Sequence, residues 1–221
     1  DCLMCGIAGI LAFNGKPVSG ERISNLTDAL AHRGRDSAAY LHGGSSQPLS
    51  SYGGIALGHR RLSIIDLSDG AAQPMRSAST GNVLVYNGEL YNYVELRKEL
   101  VASGYRFRTD SDSEVVLAAY DVWGESCLAR FNGMYAFAVW DEARQWLFCA
   151  RDPVGIKPFY YVLDGEEFAF ASESQALVGS GNHGLDRDAV ACYLLSMYVP
   201  RTLSIYSGVK KLLPGHSMRV H

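Results

Sequence analysis

The sequence has no apolar run long enough to cross a bilayer. Its longest apolar stretches are short, such as 134–140, against the roughly 20 residues that a spanning helix needs. No basic segment followed by an apolar one opens the chain, so no secretory leader is read. Lysine and arginine form no block, and a formal net charge of −3 leaves no footprint for nucleic acid. The histidines fall at no metal-ligand spacing; His32, His59, His183 and His216 read as structural or exposed. Five cysteines, an odd number without close pairs, fit neither a disulfide framework nor a zinc site. Cys127, Cys149 and Cys192 read as small buried hydrophobes, and a reducing cytoplasm is the expected location. Internal repeats and low-complexity tracts are missing too. Membrane, nucleic-acid and metal-bound functions are therefore not expected.

What is present is ample material for a core: 48% of the 221 residues are hydrophobic, enough for one large domain. Strands are expected at 6–13, 55–65 and 82–86, then a meander at 134–141, 146–151, 159–163 and 167–171. Asp164-Gly165 is the hairpin turn between the last two. Helices are expected at 19–31 with Ser19 as N-cap, at 91–103 before Gly104, at 113–123 before Gly124 with Asp112 as a candidate cap, and at 186–197. The stretch 43–54 reads as a loop or hairpin turn, and the tail after Pro200 as a linker. Strands gather in runs instead of alternating regularly with helices, which favours α+β, an antiparallel sandwich with helices outside, over a doubly wound sheet.

Chemistry is concentrated first at Met4-Cys5-Gly6-Ile7. A cysteine at a true N-terminus carries its own base, because its α-amine has a pKa near 8 and lies within reach of the thiol. Asp1-Cys2-Leu3-Met4 precede Cys5 and turn that amine into an amide. Two routes would expose it: translation from Met4 with removal of the methionine, or cleavage of a short propeptide.

Further segments follow in order: His32-Arg33-Gly34, Leu57-Gly58-His59-Arg60-Arg61-Leu62-Ser63-Ile64-Ile65-Asp66, Gln73-Pro74 and Tyr86-Asn87-Gly88-Glu89-Leu90-Tyr91-Asn92-Tyr93. Beyond them stand Ser111-Asp112-Ser113-Glu114-Val115, Asn132-Gly133-Met134, Arg151-Asp152-Pro153-Val154-Gly155-Ile156-Lys157-Pro158 and Ala171-Ser172-Glu173. From Cys5 to at least Leu177, their identity and order resemble the N-terminal glutaminase domain of glutamine-dependent asparagine synthetases. Those are class II glutamine amidotransferases on the Ntn-hydrolase fold, a four-layer αββα sandwich of two antiparallel sheets.

The resemblance implies roles. Cys5 would attack the glutamine side-chain amide and form a thioester, its own amine shuttling the proton. The Asn87 side chain and the Gly88 N–H would form the oxyanion hole, although Asn87-Gly88 by itself also reads as an ordinary turn at a strand end. Arg61 would clamp the substrate α-carboxylate, for which a guanidinium is the bidentate partner, while Arg60 on the other strand face would be solvated. The backbone of Leu62, Ser63, Ile64 and Ile65 would line the pocket, and Glu89 and Asp112 would hold the substrate ammonium. Arg33-Gly34 would order the loop over the site. The family pattern His-Arg-Gly-Pro-Asp has Arg35 here in place of proline, which bears on the stiffness of that loop and not on the chemistry.

The resemblance also sets the domain expectation: an extension at 1–4, the amidotransferase domain at 5–180, and at 181–221 a linker into an ATP-dependent synthetase domain. Leu213-Pro214-Gly215-His216 resembles the lead into that domain. No cofactor is expected in the glutaminase part; ATP and magnesium belong to the synthetase part, whose pyrophosphate loop Ser-Gly-Gly-x-Asp-Ser has no counterpart in His42-Gly43-Gly44-Ser45-Ser46-Gln47. Expected partners are L-glutamine and a synthetase domain or subunit, with a homodimer admissible. Three alternatives stay open: transfer to another carboxylate such as a sugar uronate, an amidotransferase of the phosphoribosyl or hexosamine type, and a catalytically silent domain with a capped Cys5. The Arg61-to-Ile65 and Arg151-to-Pro158 motifs weigh against the second.

Overall fold

The structure is a computed structural model that describes residues 4–43, 49–62, 72–179 and 183–221. The first strand, β1 (Gly6–Ala12), is buried along its whole length, and its alternation explains why. Ile7 and Leu11 point into one apolar cluster while Ala8, Ile10 and Ala12 point into another, so a period-2 element is apolar on both faces. Gly9 is a packing requirement: a Cβ there would lie 2.2 Å from the ring of Phe170.

Helix α1 (Gly20–Asp28) follows, capped by Ser19, whose hydroxyl accepts the Arg22 N–H at 3.3 Å. Next come β2 (Ser37–His42), β3 (Ile55–Arg61), β4 (Met75–Arg76) and β5 (Val83–Leu90). Two helices, α2 (Tyr93–Ala102) and α3 (Asp112–Trp123), and a 3₁₀ segment (Gly124–Arg130) lead to β6 (Gly133–Asp141) and β7 (Trp146–Arg151). The chain continues through β8 (Tyr160–Leu163), β9 (Glu167–Ala171), α4 (Ser174–Val178), α5 (Arg187–Ser196), β10 (Lys210–Lys211) and β11 (Ser217–Val220).

Among the described residues, one antiparallel sheet runs β10-β8-β9-β1-β3-β2 and the other β11-β7-β6-β5-β4. Between them lie Ile7, Leu57, Val83, Val85, Ala136, Ala138, Trp140, Phe159 and Phe170. On the outer side of the second sheet, Leu84, Tyr86, Phe137 and Phe148 pack against residues of α2 and α3. Beyond the first sheet, Ala8, Ile10 and Ala56 pack on Ile23 and Leu26 of α1 and on α4. The layers are therefore αββα, the Ntn-hydrolase sandwich that the motifs imply. None of the helices among the described residues is long and apolar enough to cross a membrane.

Several sequence readings change. Strand β2 was not expected; it is an edge strand whose first four residues are exposed, so it carries no apolar alternation to read. Strand β5 continues through Asn87 and Gly88 to Leu90, pairing Asn87 with Ala136 and Gly88 with Tyr135, so Asn87-Gly88 is not a turn. The N-cap of α3 is Ser111, which accepts the Glu114 N–H at 3.2 Å; Asp112 is the first helical residue instead. Cys127 and Cys149 are buried, but Cys192 on α5 is only partly so. The tail after Pro200, which reads as a linker, adds β10 beside β8 and β11 beside β7. Of the strand expected at 55–65, the positions from 63 onward lie outside the described residues, as do 44–48 of the expected loop.

Candidate active site

Strand parity places the reacting groups. Cys5 shares the face of Ile7, and Asn87 shares the face of Val85, and both hydrophobes belong to the layer between the sheets. The two sheets are joined here by His59, which is 1% exposed and whose Nε2 donates to the Tyr86 carbonyl at 3.2 Å. Burial and the nearby Arg61 push His59 down to about 4, outweighing that hydrogen bond, so the imidazole is neutral at pH 7.

Two residues, Ser172 and Arg33, hold the start of β1. The Ser172 hydroxyl accepts the Ile7 N–H at 3.0 Å, and the Ser172 N–H donates to the Ile7 carbonyl at 2.9 Å. Arg33, 7% exposed, donates Nε to the Cys5 carbonyl at 3.1 Å and Nη1 to Glu173 at 2.8 Å, while its own carbonyl accepts the Met4 N–H. His32 meets the same Glu173 carboxylate at 2.9 Å. Burial works to raise the Glu173 carboxyl, yet Arg33 and His32 together hold it below the usual carboxylate range. Arg33 thus grips the backbone of Cys5 as well as its own loop.

The Cys5 sulfur lies 3.4 Å from the Leu62 N–H, which it accepts, and 3.5 Å from the Leu62 carbonyl. Burial raises the thiol pKa; the Leu62 hydrogen bond, Lys157 and Arg61 oppose that rise, and Asp112 adds to it. The neighbourhood of Cys5 therefore already contains three of the expected substrate-binding residues, Arg61, Leu62 and Asp112. Glu89 in turn acts on Asp112. Ser63, Ile64 and Ile65 lie outside the described residues. Arg60 is not solvated: its guanidinium donates to the Thr27 carbonyl and pairs with Asp28 on α1, on the outer face of β3.

Asn87 is 2% exposed, and its side-chain N–H₂ has no hydrogen-bond partner among the described residues. A buried amide left unmatched costs about 1–3 kcal/mol, a state that Arg33 Nη2 and Arg97 Nη1 share with it among the described residues. Gly88 beside it tolerates no side chain, because a Cβ would stand 2.5 Å from the Met134 carbonyl. Asp112 is 5% exposed; one of its oxygens accepts from the Tyr86 hydroxyl and from the Leu90 N–H. Burial raises its pKa, and those hydrogen bonds partly reverse the rise.

Three contributors escape a reading of local patterns. Gln73 accepts the Tyr86 N–H at 2.6 Å and donates to Ser113 at 3.2 Å, doing the work of a missing strand partner beside Asn87. Tyr86 connects to Gln73, His59 and Asp112 at once. Lys157 reaches the segment before Cys5 from the β7–β8 loop. All three stood inside quoted motifs, which was the only signal available for them. Among the described residues no group of three or more His, Cys, Asp or Glu is placed to hold a metal.

Comparison with known proteins agrees with this arrangement. A family model described as glutamine amidotransferase domain matches residues 4–221. Asparagine synthetase [glutamine-hydrolyzing] 1 of Bacillus subtilis is 38% identical over 223 residues, covering 98% of this chain and 33% of that protein. A putative asparagine synthetase [glutamine-hydrolyzing] 2 of Methanocaldococcus jannaschii is 37% identical over 227 residues, covering 95% of this chain and 42% of that protein. The solved structure of B. subtilis glutamine phosphoribosylpyrophosphate amidotransferase with ADP and GMP superposes with a TM-score of 0.63 at 26% identity. It covers 78% of this chain and 43% of that one. The chain thus spans between a third and a half of the length of these relatives. A buried donor on the inner sheet face, a cysteine heading β1 and matches across nearly all of its length place it together with them: the chain belongs to the class II glutamine amidotransferase domain family, homologous to the glutaminase regions of asparagine synthetases.

Proposed function

We propose that this chain hydrolyses the side-chain amide of L-glutamine through a thioester on Cys5 and supplies the ammonia to an ATP-dependent, asparagine-synthetase-like partner domain or subunit. The observation that carries the reading is the buried Asn87 amide on the inner face, unpartnered among the described residues, beside a glycine whose Cβ would crowd the Met134 carbonyl. It is a donor waiting for an oxyanion.

The chemistry then follows from the residues. The Cys5 α-amine takes the thiol proton, and the sulfur forms a bond to the amide carbon while the carbonyl oxygen gains charge toward Asn87 Nδ2 and the Gly88 N–H. The C–N bond breaks, the proton returns to the leaving nitrogen, and ammonia departs. Water attacks the thioester by the same route, releasing glutamate and the thiol. Arg61 binds the substrate carboxylate, and Asp112 with Glu89 binds its ammonium. ATP and magnesium act in the synthetase portion, which also selects the acceptor: aspartate in the first reading, another carboxylate such as a uronate in the alternative.

With Met4 attached, the Cys5 nitrogen is an amide and no base, so activity requires a chain that starts at Cys5. Intact mass and N-terminal sequencing of the protein made in cells test this, alongside glutamine hydrolysis. A Cys5 start with activity abolished by Cys5→Ala supports the reading. A stable Asp1 start with no hydrolysis supports a silent domain, and hydrolysis that survives Cys5→Ala removes the mechanism.

A further inference from the structure

The loop between β7 and β8 is pinned from both ends. Fully buried Asp152 accepts the N–H groups of Val154, Gly155 and Ile156 on Oδ1 at 3.1, 2.6 and 2.9 Å. Its Oδ2 accepts those of Lys157 and Tyr135 at 3.0 and 3.3 Å. Arg151 donates to the carbonyls of Gly155, Lys157 and Leu212, each at 2.7 Å. Both backbone polar groups of Lys157 are thus engaged, and its side chain, in a residue only 5% exposed, turns inward. The ammonium nitrogen stands 2.9 Å from the sulfur of Met4, one residue from the nucleophile.

We propose that Lys157 is an electrostatic positioning residue for glutamine hydrolysis: its ammonium favours the Cys5 thiolate and, in a chain starting at Cys5, keeps the facing α-amine unprotonated near neutral pH. The inference rests on the reading of Cys5 as the nucleophile. A free α-amine titrates near 8, and a like charge at close range makes the α-ammonium give up its proton more readily. The same charge attracts the sulfur as it becomes anionic. Both effects bring the proton shuttle into its working state at a lower pH. From the other elements, Cys5 is faced by Arg61 on β3, by Asp112 on α3, and by Arg33, which binds the Cys5 carbonyl and is paired with Glu173. Glu89 on β5 acts through Asp112. Of the charges that act on the Cys5 thiol, removal of Lys157 leaves Arg61 against Asp112.

The test is alkylation of Cys5 by iodoacetamide in the full chain across pH, located by peptide mass spectrometry, for the parent and for Lys157→Met, Lys157→Gln and Lys157→Arg. Thermal melts show which variants fold, and the glutamine variant carries the comparison if the methionine one does not. The neutral variant is expected to shift the alkylation midpoint upward by about one pH unit or more, and the arginine variant to restore it. The acid limb of kcat/KM for glutamine, in chains starting at Cys5, should move the same way. Unmoved midpoints in the neutral variants, or an arginine midpoint that follows them, overturn the proposal. A parent chain that hydrolyses no glutamine counts against the proposed function instead, since the alkylation midpoints are read without turnover.

Discussion

The Tyr86 hydroxyl donates to Asp112 Oδ2 across 2.9 Å, and the Leu90 N–H donates to the same oxygen at 3.0 Å. Two donors on one oxygen orient the carboxylate at the start of α3. Tyr86 also gives its backbone N–H to Gln73 and accepts His59 at its carbonyl. A single residue therefore ties the helix layer, the strand carrying Asn87 and the opposite sheet to one another.

Tyr86→Phe keeps the ring in its packing and removes one donor. A hydrogen bond to a charged group contributes about 1.5 kcal/mol or more, so KM for glutamine should rise roughly tenfold with kcat nearly unchanged. Because that bond also holds the Asp112 pKa down, the acid-side weakening of glutamine binding should begin at a higher pH. Steady-state kinetics across pH check both, and an unaltered KM would remove Asp112 from the ammonium grip.

Asn87→Ala separates function from stability. The loss of an oxyanion donor should lower kcat by about 10²–10³-fold. The melting temperature should hardly fall, since the deleted donor has no partner among the described residues. A large loss of stability with little change in kcat would assign Asn87 to packing.

Gly88→Ala should lower stability as well. Its added methyl meets the Met134 carbonyl at 2.5 Å and the Tyr86 ring at 2.7 Å, which forces β5 away from β6 at an expected cost of about 1–3 kcal/mol. Urea unfolding reads this directly; a variant as stable as the parent contradicts the close approach.

His59 makes stability depend on pH. In the unfolded chain its imidazole titrates near 6.5 and in the fold at about 4. The unfolded state takes the proton first, so this stability is complete above the unfolded value and is lost as pH falls from 6.5 toward 4, a total of about 3 kcal/mol. His59→Gln can still donate to the Tyr86 carbonyl but does not titrate. The drop in unfolding free energy between pH 7 and pH 4.5 should shrink by about 2 kcal/mol in that variant. An equal drop in both proteins would show that His59 is not the titrating group.

The sequence alone determined the family and the type of most elements. Period-2 and period-3.6 apolar patterns are local properties, so β1, β6, β7, α1 and α5 could be read within a few residues of their ends. The Cys5 segment and the ordered motifs identified the family for the same reason: they are strings. Tertiary structure decided what no string contains. Local propensity makes Asn87-Gly88 a turn, but pairing with Ala136 and Tyr135 makes it strand and frees the amide for the pocket. Exposed β2 has no pattern to detect, because only its hydrogen bonds to β3 make it a strand. The ion pair that ties Glu173 to Arg33, the residue holding the Cys5 carbonyl, spans 140 residues, and the contact of Lys157 with Met4 spans 153. Such contacts arise when two sheets close on one core, and the side chains that meet there are selected by burial and unmet hydrogen bonds, not by their neighbours in sequence.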